Sequence, residues 1–291
     1  MTAVNVLGVG IATLDVVNEV TEYPCEDAEV RALAQRTARG GNATNTLVTL
    51  AQLGHRCSWA GTLGDDAAAD LVLADLRAHG IDTAAMLRQV AGLTPASYVT
   101  LSRSTGSRTI VHHRALAEYG SADFARIDLA RLDWVHFEGR AVEELRGMLQ
   151  RVAGAQGPPC SLEVEKPRPG IEDLFVLPDL LLFGRQYALA KGFAGAPALL
   201  AGLPPGKAAV CAWGEAGAWA RTPEGVLHHA PAWRPPRVVD TLGAGDVFNA
   251  AVIDAWAAGR PMPEVLSAGC RLAGAKCARH GLSGLRDEEI P

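Results

Sequence analysis

Little in this sequence is aromatic, and no apolar stretch in it approaches the roughly 20 residues that span a bilayer. Tryptophan, tyrosine and phenylalanine supply 5% of the 291 residues, so a core must be built from aliphatic side chains and alanine. No run of like charge occurs, and the formal net charge is -5, a balance without the basic stripe of a nucleic-acid surface. The opening "MTAVNVLGVGIATLD" lacks the basic start and cleavage site of a signal peptide. These absences predict a cytoplasmic protein with neither a nucleic acid nor a membrane as partner. Cysteine is scattered at Cys25, Cys57, Cys160, Cys211, Cys270 and Cys277. Without a C-x-x-C pair, free and mostly buried thiols are expected rather than disulfides or a zinc site. The doublets His112–His113 and His228–His229 likewise lack the H-E-x-x-H spacing of a metal helix.

What the sequence does have is 48% hydrophobic residues in short runs separated by helix-length segments. "VNVLGVG", "CSWAG", "WVHFEG", "CSLEVE", "DLLLFG" and "AAVCAWG" read as strands buried on both faces. The amphipathic segments 41–53, 66–79 and 141–153 each close at a glycine. That alternation predicts an α/β fold, a doubly wound and mostly parallel sheet with helices on both faces. Residues 13–37 and 95–114 break the rhythm with alternating polar and apolar residues, and "RSTGSR" suggests a hairpin between two of them. They predict a small β-sheet lid within one domain over 1–291, above the crevice at the carboxyl ends of the parallel strands.

Three glycine-rich stretches carry the chemistry. "GVGIAT", from Gly8 to Thr13, lacks the third glycine of a dinucleotide loop, so a turn leaving the first strand is the better account. In "RGGNATNTLVTLAQLG", Gly40 and Gly41 open a helix with Asn42 and Asn45 in its first turn. Two amides there serve either as caps or as paired donors and acceptors for a polyhydroxylated ligand, with Asp15 and Asp27 adding acceptors. In "VVDTLGAGDVFNAAVIDAWAAGR", Val238 and Val239 read as the end of a strand, and a tight turn places Gly243, Ala244 and Gly245 before Asp246 at a helix start. Such an end attracts anions. Asp246 is then either an ordinary first-turn acid or a group with work to do beside a phosphate.

The "GGN-x-x-N" helix start and "DTLGAGD-x-F", together in that order, resemble the two signatures of the ribokinase-like carbohydrate kinases. "GSRTIVHH", "HFEGR", "EVEKPR", "PPRVVDTLGAGD" and "AGAKCARHG" extend the similarity over the whole chain, toward the ketohexokinase branch, the hepatic-type fructokinases. The resemblance implies a ribokinase-like fold and ATP-dependent transfer of a phosphoryl group to a primary hydroxyl, fructose to fructose 1-phosphate. Asp246 would be the general base, and the backbone of Gly243, Ala244, Gly245 and Asp246 the anion hole. Asp15, Gly41, Asn42 and Asn45 would hold the sugar, with Asp27 beside them. Arg108 would reach the ATP phosphates, "AWGEAG" (Ala212, Trp213, Gly214, Glu215, Gly217) would form part of the nucleotide site, and Cys277 would lie near the adenine. Mg²⁺ is implied with ATP, K⁺ is implied near Asp240, and the lid strands would pair two subunits into a homodimer.

The sequence departs from the family at "GRQY", Gly184 to Tyr187, where many members carry N-x-x-E near the metal. That leaves Glu138, Glu163 or Glu165 as carboxylates that would reach Mg²⁺ through water, or as ordinary strand-end acids. His113 and Arg114, in "VHHRALAEY", are placed either to touch the far end of the sugar or to face solvent. An inward Arg114 would favour an anionic sugar, so another ketose or a sugar acid stands as an alternative substrate. A silent sugar-binding protein on the same fold is the other alternative.

Overall fold

A computed structural model describes residues 3–154 and 157–285 of the chain. In chain order its main elements are β1 (Asn5–Val9), β2 (Thr13–Val20), β3 (Ala34–Gly40), α1 (Asn42–Gln52), β4 (Arg56–Ala60), β5 (Thr62–Gly64), α2 (Ala67–Ala78), β6 (Leu87–Gln89), β7 (Ala96–Ser102) and β8 (Arg108–His113). They continue with α3 (Ser121–Phe124), β9 (Trp134–Glu138), α4 (Val142–Gly154), β10 (Cys160–Val164), β11 (Leu180–Gly184), α5 (Arg185–Ala190), α6 (Ala196–Ala201), β12 (Ala208–Ala212), β13 (Ala218–Arg221), β14 (Leu227–Ala230), α7 (Ala244–Ala257) and α8 (Met262–Cys277).

Each of the six apolar runs becomes a strand of one eight-stranded sheet, ordered β14-β13-β12-β11-β10-β9-β1-β4. Its strands are parallel except for β13 and β14, which add antiparallel at one edge. Successive side chains point to opposite faces of a strand, and both faces are covered here. Leu180 and Leu182 pack with Leu47, Val72, Phe248 and Val265 from α1, α2, α7 and α8. Leu181 and Phe183 pack with Leu149, Ala188 and Leu199 from α4, α5 and α6 on the other side. Continuous apolar runs, rather than alternating ones, are what a sheet covered on both faces demands. Among the described residues no helix is long and apolar enough to cross a membrane.

The two irregular regions form a second sheet of order β3-β2-β7-β8, with β7 and β8 joined as the expected hairpin. Asp15, Ser97 and His112 stand side by side across β2, β7 and β8, so they share one face. Val16, Tyr98 and Val111 occupy the opposite face. The strand expected at Val238 and Val239 is not formed. Residues 231–241 run as irregular chain, Val238 is exposed, and Val239 N–H donates to the Cys277 carbonyl at 2.7 Å. Pro235 and Pro236 have no N–H to give a sheet ladder, and the end of α8 supplies the acceptor that a neighbouring strand would have supplied.

Candidate active site

The lid face bearing Asp15 and the carboxyl ends of β9 to β12 enclose a cavity of about 840 Å³, near the upper end of what one small-molecule site occupies. Two helices aim their first turns into it, α1 and α7.

At α1, glycine is imposed by crowding. Gly41 has φ 107°, and a Cβ there would collide with the Ile11 carbonyl; one on Gly40 would collide with the Asp15 carboxylate. Neither asparagine of the first turn caps the helix. Asn45 instead donates from Nδ2 to Asp246 Oδ2 at 2.7 Å and accepts at Oδ1 from Arg39 at 2.7 Å. Arg39 is anchored by Asp75 at 2.6 Å, so the amide is oriented from behind. Asn42 Nδ2 donates to Glu163 Oε1 at 3.2 Å and Glu165 Oε2 at 3.4 Å.

At α7, Gly243 takes the left-handed conformation at φ 78°, while a Cβ on Gly245 would meet nothing within 4 Å. The backbone therefore borders open cavity, and first-turn N–H groups have no acceptor within their own helix. Asp246 is buried and is not a cap; its hydrogen-bond partner is Asn45. Burial raises its carboxyl well above the usual range; the Asn45 bond opposes this, and the Glu165 and Glu138 charges add to it. Glu163 is raised by burial and by Asp246, and Glu138 is pushed up to about 7 by burial against the pull of Arg140.

These acids join α1 to α7. Glu163 Oε1 accepts from Asn249 on α7 at 3.0 Å as well as from Asn42. Its Oε2 is buried without a partner. Asn249 was not anticipated, although it lies one helical turn beyond Asp246 and so on the same face.

The loop before α7 is held by a buried ion pair. Lys276 Nζ, fully buried, lies 3.1 Å from Asp240 Oδ2 and donates to the Asp240 carbonyl at 2.6 Å. Burial alone would raise Asp240, yet the Leu242 N–H and the Lys276 ammonium hold it low. An internal cation thus engages the Asp240 carbonyl and Oδ2, in the stretch where K⁺ is expected. Arg108 reaches from the lid and donates to Thr241 Oγ1 at 2.7 Å.

Of the residues singled out in the sequence, Asp15, Gly41, Asn42, Asn45, Arg108, Ala212, Gly214, Glu215, Gly217, Gly243, Ala244, Gly245, Asp246 and Cys277 line this one cavity. Asp27 does not; it sits at φ 61° in an exposed turn between β2 and β3. Trp213 is not on the wall either, and its ring lies beneath the Arg185 guanidinium. His112, rather than His113, faces the cavity. Arg114 turns away from it to pair with Glu118 at 2.8 Å. From "GRQY", Arg185 and Gln186 line the wall, while Tyr187 is buried and donates to Glu172 at 2.9 Å.

Residues 4–288 match the model of the pfkB family carbohydrate kinases. The chain is 42% identical to mouse ketohexokinase over 292 residues, covering 96% of this chain and 98% of that protein. It is 27% identical to the ATP-dependent ribose-1-phosphate kinase of Halopiger xanaduensis, across 87% of this chain and 85% of the other. Among solved structures, a putative ribokinase from Agrobacterium tumefaciens superposes with a TM-score of 0.83 at 25% identity, covering 96% of this chain and 93% of that one.

Proposed function

This chain belongs to the pfkB carbohydrate kinase family and is an ATP-dependent carbohydrate kinase; we propose that its acceptor is a ketohexose, fructose being converted to fructose 1-phosphate. The observation that carries this is the placement of the buried Asp246 carboxylate in the first turn of α7, oriented by Asn45 at 2.7 Å and next to Gly245, whose backbone borders open space. A hydroxyl lying between that carboxylate and the helix end is in line for attack on a phosphoryl group held there. Asp246 takes the hydroxyl proton, and its raised affinity for protons suits a general base. The N–H groups of Gly243 to Asp246 offset charge on the transferring group. Asp15, Gly41, Asn42 and Asn45 bind and orient the sugar, Arg108 meets the phosphates from the lid, and the segment from Ala212 to Gly217, with Cys277, receives the nucleoside.

The cations near the sugar end favour a neutral acceptor. Arg140 is matched by Glu118 at 3.2 Å and Glu138 at 3.7 Å, and Lys166 by Glu165 at 3.9 Å. Each positive charge already faces a carboxylate, so none is left over for a sugar acid.

The residues present also fit Mg²⁺. Among the described residues no three His, Cys, Asp or Glu form a complete cage, and Mg²⁺ with a nucleotide needs only one or two carboxylates plus phosphate and water. Glu163, with its unpartnered oxygen, and Glu165 would hold it, and the bound ion would offset phosphate charge. Tyr98 and Val111 are exposed on the outer lid face, and a second copy of the chain covering that face would form the expected homodimer. A cytoplasmic location, where ATP is plentiful, completes the assignment.

The test is a panel of ketoses, aldoses and sugar acids with Mg-ATP, run with and without potassium. Fructose 1-phosphate should be the preferred product. Higher kcat/KM with a sugar acid would overturn the ketose assignment, and sugar binding without any turnover would leave a silent binding protein.

A further inference from the structure

Five cationic side chains line the cavity: Arg108, Arg140, Lys166, Arg185 and Arg234. Arg140 and Lys166 are committed to carboxylates, and Arg108 is tied to Thr241. Arg234 sits on the exposed irregular segment before α7. Among the described residues Arg185 shares with Arg108 and Arg234 the lack of a carboxylate partner, and is exposed as Arg234 is, but it alone of the five rests on an aromatic ring. Its guanidinium is held over the Trp213 ring, 5.8 Å from the centroid. Trp213 is itself fixed edge-on against Trp219, with ring centroids 6.5 Å apart.

The position is set by the sheet. Arg185 is the first residue of α5, directly after the carboxyl end of β11, and Trp213 follows the carboxyl end of the adjacent β12. Ala212 and Gly214, on either side of Trp213, line the same wall. An indole platform thus presents an unpaired, planar cation to the cavity that the α7 start and Arg108 also line. Guanidinium matches phosphate oxygens with two parallel N–H donors, and stacking on an indole restricts it before the ligand arrives. We propose that Arg185 binds the phosphates of the nucleotide together with Arg108, and that Trp213 is the positioning residue that aims it. The proposal rests on the kinase assignment above. It gives a function to the place where N-x-x-E is missing: a cation stands between Gly184 and Tyr187, the two positions at which the amide and the acid were expected.

The test is calorimetric titration of the full chain with ADP and, separately, with adenosine. Arg185→Gln should weaken ADP by about 10-fold or more, the scale of a charge-assisted hydrogen bond, and leave adenosine unchanged. Arg185→Lys should recover part of the loss, since it restores the charge without the fork. Trp213→Ala should fall between Arg185→Gln and the parent protein, and Trp213→Phe should stay near the parent because a ring remains. Unchanged ADP affinity in Arg185→Gln, or equal losses for ADP and adenosine, would overturn the proposal. If the parent protein itself binds no ADP, it is the kinase assignment that fails.

Discussion

The two helices that open into the cavity both begin at glycine, and the glycines are there for opposite reasons. At the start of α1, a Cβ on Gly41 would run into the Ile11 carbonyl, and one on Gly40 into Asp15. The chain is packed against itself there, and what reaches the cavity is side chain: the amides of Asn42 and Asn45. At the start of α7, a Cβ on Gly245 would meet nothing, and what reaches the cavity is backbone. One helix start is full of protein; the other is open at Gly245, although a Cβ on Gly243 would meet Leu282. A turn glycine can therefore be demanded by the fold or by a ligand, and only the surroundings tell which.

The largest effect should come from the residue that joins the two helices. Asp246→Asn should fold and bind sugar much as before while turnover falls roughly 10²- to 10⁴-fold, measured as kcat beside an unchanged sugar Kd. Near-normal turnover would remove Asp246 from the reaction and with it the functional meaning of the open end. On the crowded side, Gly41→Ala should cost about 3 kcal/mol in urea unfolding, from backbone strain and overpacking together. A stable Gly41→Ala would erase the contrast.

Glu138 sharpens the comparison through pH. It lies under the crowded start, accepting from Ile11 N–H at 2.8 Å, and its carboxyl rises from 4.5 to about 7 on burial. The stability it contributes is complete below pH 4.5, where both states hold the proton. It is lost as pH rises to 7, by about 3 kcal/mol at ~1.4 kcal/mol per unit. Glu138→Gln should remove that slope, so the difference between the two unfolding curves should be confined to this window. A constant difference from pH 4 to 8 would show that Glu138 ionises as it does in water. The smallest effect is Gly245→Ala. Its stability should stay within about 0.5 kcal/mol of the parent protein, while KM for ATP rises roughly 10-fold as the methyl group enters the space a phosphate needs. Unchanged ATP use would place the phosphates elsewhere.

Much of this was legible in the chain itself, for reasons that can be named. The six parallel strands of the main sheet announced themselves because burial on both faces leaves no room for polar alternation, as Leu180 to Phe183 illustrates. The lid strands declared themselves by the opposite pattern, one face toward the cavity and one exposed. Val238 and Val239 misled because two adjacent valines resemble a strand end wherever they occur; the acceptor that Val239 uses belongs to α8, 38 residues later in the chain. Asn42 and Asn45 looked equally like caps, and nothing local showed that their amides would be drawn across to Glu163 and Asp246 instead. Asp27 and Trp213 share stretches with cavity residues but not their direction.

Local patterns determined the element types, the order of the two glycine-opened helix starts and the acid placed at the second. They did so because hydrophobic period, turn chemistry and helix ends depend on neighbours a few positions away. Only the folded molecule decided which glycine has room beside it, which carboxylate keeps an empty oxygen, and which cation rests on an indole. Those properties belong to groups brought together from distant parts of the chain, and they exist only once burial has removed water as the alternative partner.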